Sequence, residues 1–272
     1  MAVQHLTDRD LLFAHLDRNP YLNLYAIGDL DEFFWPYTTW MGWESDGELR
    51  AVALLYAAAD PPTLLGLSDD VPAMRTLLAA VAGSLPPRFH AHLTPGVATA
   101  LETTHAAGSC SEHVKMALAV APTEIPPADD LLTDSARVPS SLRVVWLNTD
   151  DIDELQALYH ASYPDNWFDP RMLQTGQYAG VREGGHLVSV AGVHVYSPRY
   201  RVAAVGNVAT HPHHRNRGLA RVAMAALCRP LLGAGMRVGL NVDAANTAAR
   251  TTYRRLGFRD AAEYGEFFFQ RR

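Results

Sequence analysis

The chain has 272 residues, 48% of them hydrophobic and 19% charged, with a formal charge of −6 at pH 7. At about 150 residues per domain this is length for one large domain or two ordinary ones, and the apolar content excludes a disordered or fibrous chain. The negative balance argues against a nucleic-acid scaffold, and the longest apolar run, 51–59, falls far short of the roughly 18 residues a membrane span needs.

In chain order, apolar spacing predicts amphipathic helices over 8–16 and 21–30, then strands over 39–43 and 49–56 joined by the turn Asp46-Gly47. A strand over 63–67, a helix over 71–82 with Asp70 as N-cap, a strand over 88–93, a helix over 97–105 and a strand over 114–120 complete an α/β half. Between Pro122 and Arg143, prolines, aspartates and serines interrupt any periodicity, and the expected domains are therefore 1–122 and 142–272 with a linker at 123–141. Downstream, 142–147 reads as a strand and Thr149 or Asp150 as the cap of a helix running to about Tyr163. Strands over 177–182, 186–196 and 201–210 follow, separated by Gly184-Gly185 and by 197–200, as in an antiparallel meander. A helix over 218–232, a strand over 237–243, a helix over 247–256 and a closing strand or hairpin over 258–270 end the chain. The two halves repeat a similar order, the kind of order an old duplication would leave.

Asp8, Arg9 and Asp10 break the apolar stretch a signal peptide needs, and Cys110 and Cys228 form neither a C-x-x-C pair nor a disulfide framework. The expectation is a cytoplasmic protein without metal. Lys115 is the only lysine among 23 basic residues, so no lysine nucleophile is available in the second half.

The stretch VAAVGNVATHPHHRNRGLA, residues 202–220, carries the chemistry. A strand ends at Thr210, Pro212 stops it, and a turn with two arginines leads into Gly218 at the head of a helix. The first amides of a helix lack internal partners and the dipole is positive there, so a diphosphate can be cradled by backbone N–H groups. Gly218 admits close approach, and Arg215 and Arg217 add charge. A capped surface helix with an arginine-rich entry has the same spacing.

Arg215-Asn216-Arg217-Gly218-Leu219-Ala220 resembles the R/Q-x-x-G-x-G/A motif of the GNAT acyltransferase superfamily, after a strand ending Val208-Ala209-Thr210-His211-Pro212. Asn246, Ala249, Tyr253, Leu256, Gly257 and Phe258 match that family's N-x-x-A-x-x-x-Y-x-x-L-G-F helix in the expected order. The resemblance covers about 142–272. It implies acetyl-CoA or another short acyl-CoA as cosubstrate and an amine as acceptor. It further implies that Val208, Ala209 and Thr210 pair with the pantetheine arm, that residues 215–220 hold the pyrophosphate, that Asn246 contacts the CoA arm, and that Tyr253 protonates the leaving thiolate. A core tyrosine is the other reading of Tyr253.

The strand over 202–208 lacks the glutamate many members carry there. Asn207 is its only side chain able to position a water, and His194, then Asp165, Glu183 and Glu263, are candidate bases. His194 equally fits a polar residue on a strand face. His211, His213 and His214 lack the carboxylate or cysteine that would complete a metal set.

The N-terminal half is similar, more weakly, to the leading domain of two-domain GNAT proteins such as the glycine N-acyltransferase-like enzymes, through Asn19-Pro20-Tyr21-Leu22-Asn23, Gly28-Asp29-Leu30, Trp40 to Trp43 and Leu49 to Leu55. It has no phosphate loop, since Asp69 and Asp70 precede its main helix, and its expected role is a degenerate domain without CoA. Its aromatics from Phe33 to Trp43 either wall an acceptor pocket or pack. The expected fold is α/β with tandem GNAT-like domains, each a mixed, mostly antiparallel sheet flanked by helices. The expected function is transfer of an acetyl or short acyl group from CoA to a small amine or amino acid, without nucleic acid or membrane, by a monomer or homodimer. The alternative is a non-catalytic acyl-CoA sensor.

Overall fold

A computed structural model describes residues 2–272 except Ala59, 134–140, Asp165 and Trp167. Its elements are β1 (Ala2–Leu6), α1 (Arg9–Leu16), α2 (Leu24–Gly28), β2 (Thr38–Ser45), β3 (Glu48–Tyr56), β4 (Thr63–Gly66), α3 (Val71–Val81), β5 (Arg88–Leu93) and β6 (His105–Leu118). They continue with α4 (Ala128–Thr133), β7 (Leu142–Trp146), α5 (Ile152–Ser162), β8 (Ala179–Glu183), β9 (His186–Ser197), β10 (Val202–Thr210), α6 (Leu219–Gly233), β11 (Arg237–Asp243), α7 (Thr247–Arg255) and β12 (Phe258–Arg271). The fold is mixed α/β, with mostly antiparallel sheets flanked by helices. No helix among the described residues is long and apolar enough to cross a membrane.

Two compact units form. One comprises Met1–Lys115, Val242–Ala245 and Asp260–Arg272, the other Met116–Asn241 and Asn246–Arg259. This departs from the division at 123–141 drawn in chain order, because β12 closes the first unit's sheet. Gly265 to Gln270 pair antiparallel with Leu93 to Arg88, and Phe269 is fully buried in that unit's core, stacked 5.4 Å from Phe89. Burial of such a ring is worth roughly 2–3 kcal/mol, enough to fix where the strand goes.

In the first unit the strand order is β1-β2-β3-β4-β5-β12-β6, with β4 and β5 parallel. The α3 residues Met74, Leu77, Leu78 and Val81 form one buried stripe over Leu64, Phe89 and Leu93, as period 3.6 requires. Asp70 caps α3 as expected, accepting from the Ala73 amide at 3.1 Å. The aromatic segment packs on itself: Phe33 meets Phe34 at 4.8 Å, and Trp35 stacks on Trp40 at 6.1 Å.

Several predicted elements differ. Helix 21–30 shrinks to α2, because the Asn23 side chain bonds the Leu16 carbonyl at 3.1 Å and Asn19 accepts from the Leu22 amide at 3.3 Å, so side chains satisfy the backbone before α2 begins. Helix 97–105 is a single tight turn, Ala98–Ala100, closed when the Thr104 and His105 amides bond the Leu101 carbonyl. The following strand, β6, starts at His105 rather than 114. The expected linker holds a turn at Pro122–Glu124 and the helix α4.

In the second unit the order is β11-β10-β9-β8-β7, antiparallel except for β10 with β11. Asn148, not Thr149 or Asp150, caps the entry to α5: it accepts from the Asp150 amide at 2.7 Å while Asp151 accepts from the Asn148 amide at 2.9 Å. The α6 stripe Leu219, Val222, Ala223, Leu227 and Leu231 is buried.

Candidate active site

Strand β10 keeps β9 but loses β11 midway. Its parallel ladder to β11 runs from Val202–Arg237 to Val205–Leu240 and stops there. Against β9 the register slips twice, once between Ala204 and Val205 and again between Gly206 and Ala209, so Asn207 and Val208 stand outside both ladders. Asn207 takes the left-handed conformation (φ 52°) and is 3% exposed. Val208, half-buried, follows it, and the backbone from Gly206 to Thr210 is the strand edge released from β11.

Beyond the opening, His211 accepts from the His213 amide at 3.3 Å to start the turn Pro212–His214, and Asn216 (φ 61°) and Gly218 (φ 76°) are both left-handed. Gly218 caps α6 with no side-chain hydrogen bond, and a Cβ there would meet nothing within 4 Å. The amides of Leu219 and Ala220 lie at a 15-residue helix's positive end, beside a glycine whose Cβ position is open, an arrangement that suits a diphosphate. The arginines are partly engaged. Arg217 forms a bidentate pair with Glu183 at 2.7 and 3.0 Å and donates to His214 Nδ1 at 2.8 Å, and Arg215 donates to the carbonyls of Thr210 (3.3 Å) and Ser162 (3.2 Å). Arg215 thus ties the loop to the end of α5.

Tyr253 lies on the buried face of α7, 9% exposed, its ring 5.9 Å from Phe258. Burial raises its phenol well above the ordinary range, with Tyr163 and Cys228 adding to the effect, so the group holds its proton at neutral pH. Asn246 is exposed and caps α7, accepting from the Ala249 amide at 3.1 Å. Its oxygen is committed to the helix, leaving its NH₂ for other contacts.

Residues 144–258 match the family model described as Acetyltransferase (GNAT) family. Those residues form a GNAT-family acetyltransferase domain. Similar solved structures extend beyond the GNAT domain to nearly the whole chain. A GCN5-related N-acetyltransferase from Sphaerobacter thermophilus is 15% identical, with a TM-score of 0.59 over 98% of this chain and 94% of its own. A GCN5-related N-acetyltransferase-like protein from Streptococcus suis is 14% identical, with a TM-score of 0.59 over 97% and 100%. A tandem GNAT protein from the clavulanic acid biosynthesis pathway is 16% identical, with a TM-score of 0.57 over 99% and 98%. At such identities these matches establish the fold. No curated protein matches the sequence.

Within the GNAT domain the candidate bases separate by environment. The His194 ring lies directly over Gly206, where any Cβ would collide with it, so the glycine exists to seat the histidine beside the opening. Burial pushes its imidazole down to about 4. Glu183 is tied to Arg217 and held below its usual range by that guanidinium, which makes it a poor proton acceptor. Glu263 is exposed and belongs to the other compact unit, and Asp165 lies outside the described residues. Asn207 donates its amide to the Tyr178 hydroxyl at 3.0 Å, while its buried Oδ1 has no hydrogen-bond partner among the described residues and is left to accept from a water. His211 lies 5.3 Å from His213 and 5.4 Å from His214, ring to ring, and among the described residues no group of three His, Cys, Asp or Glu is arranged to hold a metal.

Sequence reasoning missed Tyr159 and Tyr178. Tyr159 is 3% exposed on α5 and donates to the Asn207 carbonyl at 2.9 Å, and Tyr178, fully buried, donates to the Val193 carbonyl at 3.2 Å. Both occupy apolar stripes that read as core.

Among the described residues the first unit lacks the corresponding opening. Its β4–β5 ladder runs through Gly66–Leu93 and continues as the Thr94 amide bonds the Gly66 carbonyl at 3.3 Å and Ser68 donates its amide to Thr94 Oγ1 at 3.0 Å. The α3 N-terminus is closed by the Asp70 carboxylate, which also pairs with Arg50.

Proposed function

We propose that the GNAT domain transfers an acetyl or short acyl group from CoA directly to the amine of a small molecule or amino acid. The observation that carries this is the release of β10 from β11 after Val205–Leu240, directly ahead of the unobstructed left-handed cap Gly218. The free edge at Val208–Thr210 supplies strand-like partners for a pantetheine arm, and the amides of residues 217–220 supply the diphosphate cradle with Arg215 and Asn216 beside it. Asn246 offers its NH₂ to the arm. The Val208 N–H is the donor for the thioester oxygen as it gains charge.

In the reaction an uncharged amine nitrogen bonds to the thioester carbon, the C–S bond breaks, and the departing sulfur takes the proton of Tyr253. The proton lost from the amine restores the phenol through water. His194, neutral at pH 7, orients that amine or water as an acceptor rather than storing a proton. Transfer is direct, since Cys110 is exposed in the other compact unit and Cys228 is buried with its thiol pushed up to about 12. The first unit, with its closed ladder and carboxylate-capped helix, does not take CoA. The setting is a reducing cytoplasm, with the enzyme a monomer or homodimer.

The second reading, an acyl-CoA sensor, draws on the absence of a carboxylate on β10 and on the depressed His194. CoA release measured with a panel of amines and amino acids separates the two. An enzyme turns over at least one amine, and Tyr253→Phe lowers kcat by roughly 10²–10⁴ with acetyl-CoA affinity retained. A protein that binds acetyl-CoA yet turns over none is the sensor.

A further inference from the structure

We propose that Tyr159 is a positioning residue for acyl transfer: its hydroxyl aims and polarises the single peptide unit that presents the Val208 N–H. This rests on the acyl-transfer reading above. The carbonyl of Asn207 and the N–H of Val208 are the two ends of one planar trans peptide and point in opposite directions. Fixing one end fixes the other.

Tyr159 O–H donates to that carbonyl at 2.9 Å in a fully buried bond, although the two residues lie 48 positions apart. The same peptide is held from its side chain, where Asn207 Nδ2 donates to Tyr178 Oη at 3.0 Å and Tyr178 in turn donates to the Val193 carbonyl at 3.2 Å. Without these tethers nothing in the ladders would define it, since Asn207 and Val208 stand outside the registers with both β9 and β11. A left-handed non-glycine residue costs of order 1–3 kcal/mol and persists only where its surroundings over-determine it. Asn207 bears that cost at the point where β10 opens. A hydrogen bond donated to a carbonyl also polarises its amide, strengthening the N–H as a donor. Tyr159 can act this way across the working pH range, because burial holds its phenol well above the ordinary value.

The test deletes one oxygen. Loss of a whole oxyanion donor costs roughly 10²–10³ in kcat, and loss of its aim and polarisation should cost part of that, about tenfold. Tyr159→Phe is therefore expected to lower kcat for CoA release about tenfold, leave acetyl-CoA Kd within about twofold, and speed amide exchange at Val208. The ratio of wild-type to variant kcat should stay flat between about pH 6 and 9, as a group that orients without moving a proton requires. Tyr178→Phe, an equal deletion that leaves the Asn207 carbonyl bond in place, should cost less than about threefold. Unchanged kcat in Tyr159→Phe overturns the proposal. So does a fall in kcat matched by loss of acetyl-CoA affinity and Tm, which marks a purely structural role, and so does a ratio that follows pH. A wild type that fails to bind acetyl-CoA overturns the acyl-transfer reading itself, and this proposal with it.

Discussion

Replacing His194 by Asn should flatten the acid side of the stability profile. The imidazole lies over Gly206, half-buried, and burial lowers its titration from 6.5 to about 4. Above pH 6.5 the ring is neutral in both the folded and the unfolded chain and contributes no pH dependence. Between pH 6.5 and 4 the unfolded chain takes up a proton that the folded chain refuses, so stability falls as pH falls. At about 1.4 kcal/mol per pH unit the penalty reaches up to about 3 kcal/mol by pH 4, a ceiling because the ring keeps some contact with water. Urea denaturation from pH 7.5 to 4 would measure this as a difference of differences. The variant begins less stable through lost packing, and its deficit should shrink by up to about 3 kcal/mol on acidification. Parallel profiles for wild type and variant would refute the reasoning. The same titration predicts that kcat/KM carries no inflection near pH 6.5 from this histidine.

Two further substitutions probe the opening and the loop. Gly206→Ala forces a methyl group into the His194 ring and should destabilise by about 1–3 kcal/mol, with the loss largely relieved when His194→Asn is added, as a double-mutant cycle of denaturation midpoints would show. Glu183→Gln frees Arg217 from its carboxylate and should tighten acetyl-CoA binding a few-fold at low ionic strength, the gain fading with added salt. Calorimetry at two salt concentrations reads it directly, and weaker binding would mean that the ion pair serves to hold the loop instead.

The sequence made the second unit's strands and the helices α5, α6 and α7 legible because each is locally patterned, whereas α4 stood inside the expected linker. The turn at Asp46-Gly47 and the cap at Asp70 were equally readable, since a capping side chain acts within three residues of itself. What escaped is non-local. Nothing in 258–270 announces that Phe269 enters the first unit's core with Phe267 packed against it, because strand pairing is decided by the partner. The first part of β6 shows no alternation: residues 106–112 are all exposed, so period 2 has nothing to register. At the site, the motif residues from Arg215 to Ala220 stand where their spacing placed them, but the engagement of Arg217 by Glu183 joins residues 34 positions apart. Tyr159 was visible only as one more member of the stripe Leu155, Leu158, Tyr159, since a hydroxyl aimed at a distant carbonyl leaves no local trace.

The most direct test of the acyl-transfer account is acetyl-CoA binding by calorimetry for wild type and Gly218→Glu. A side chain at Gly218 meets open space, so the variant should fold at a left-handed strain of about 1–2 kcal/mol while placing a carboxylate before the α6 amides. The account predicts micromolar binding in the wild type, weakened at least about 100-fold in the variant at similar Tm, as expected when like charge blocks a helix N-terminal anion site. No binding in the wild type, or equal binding in both, would contradict it.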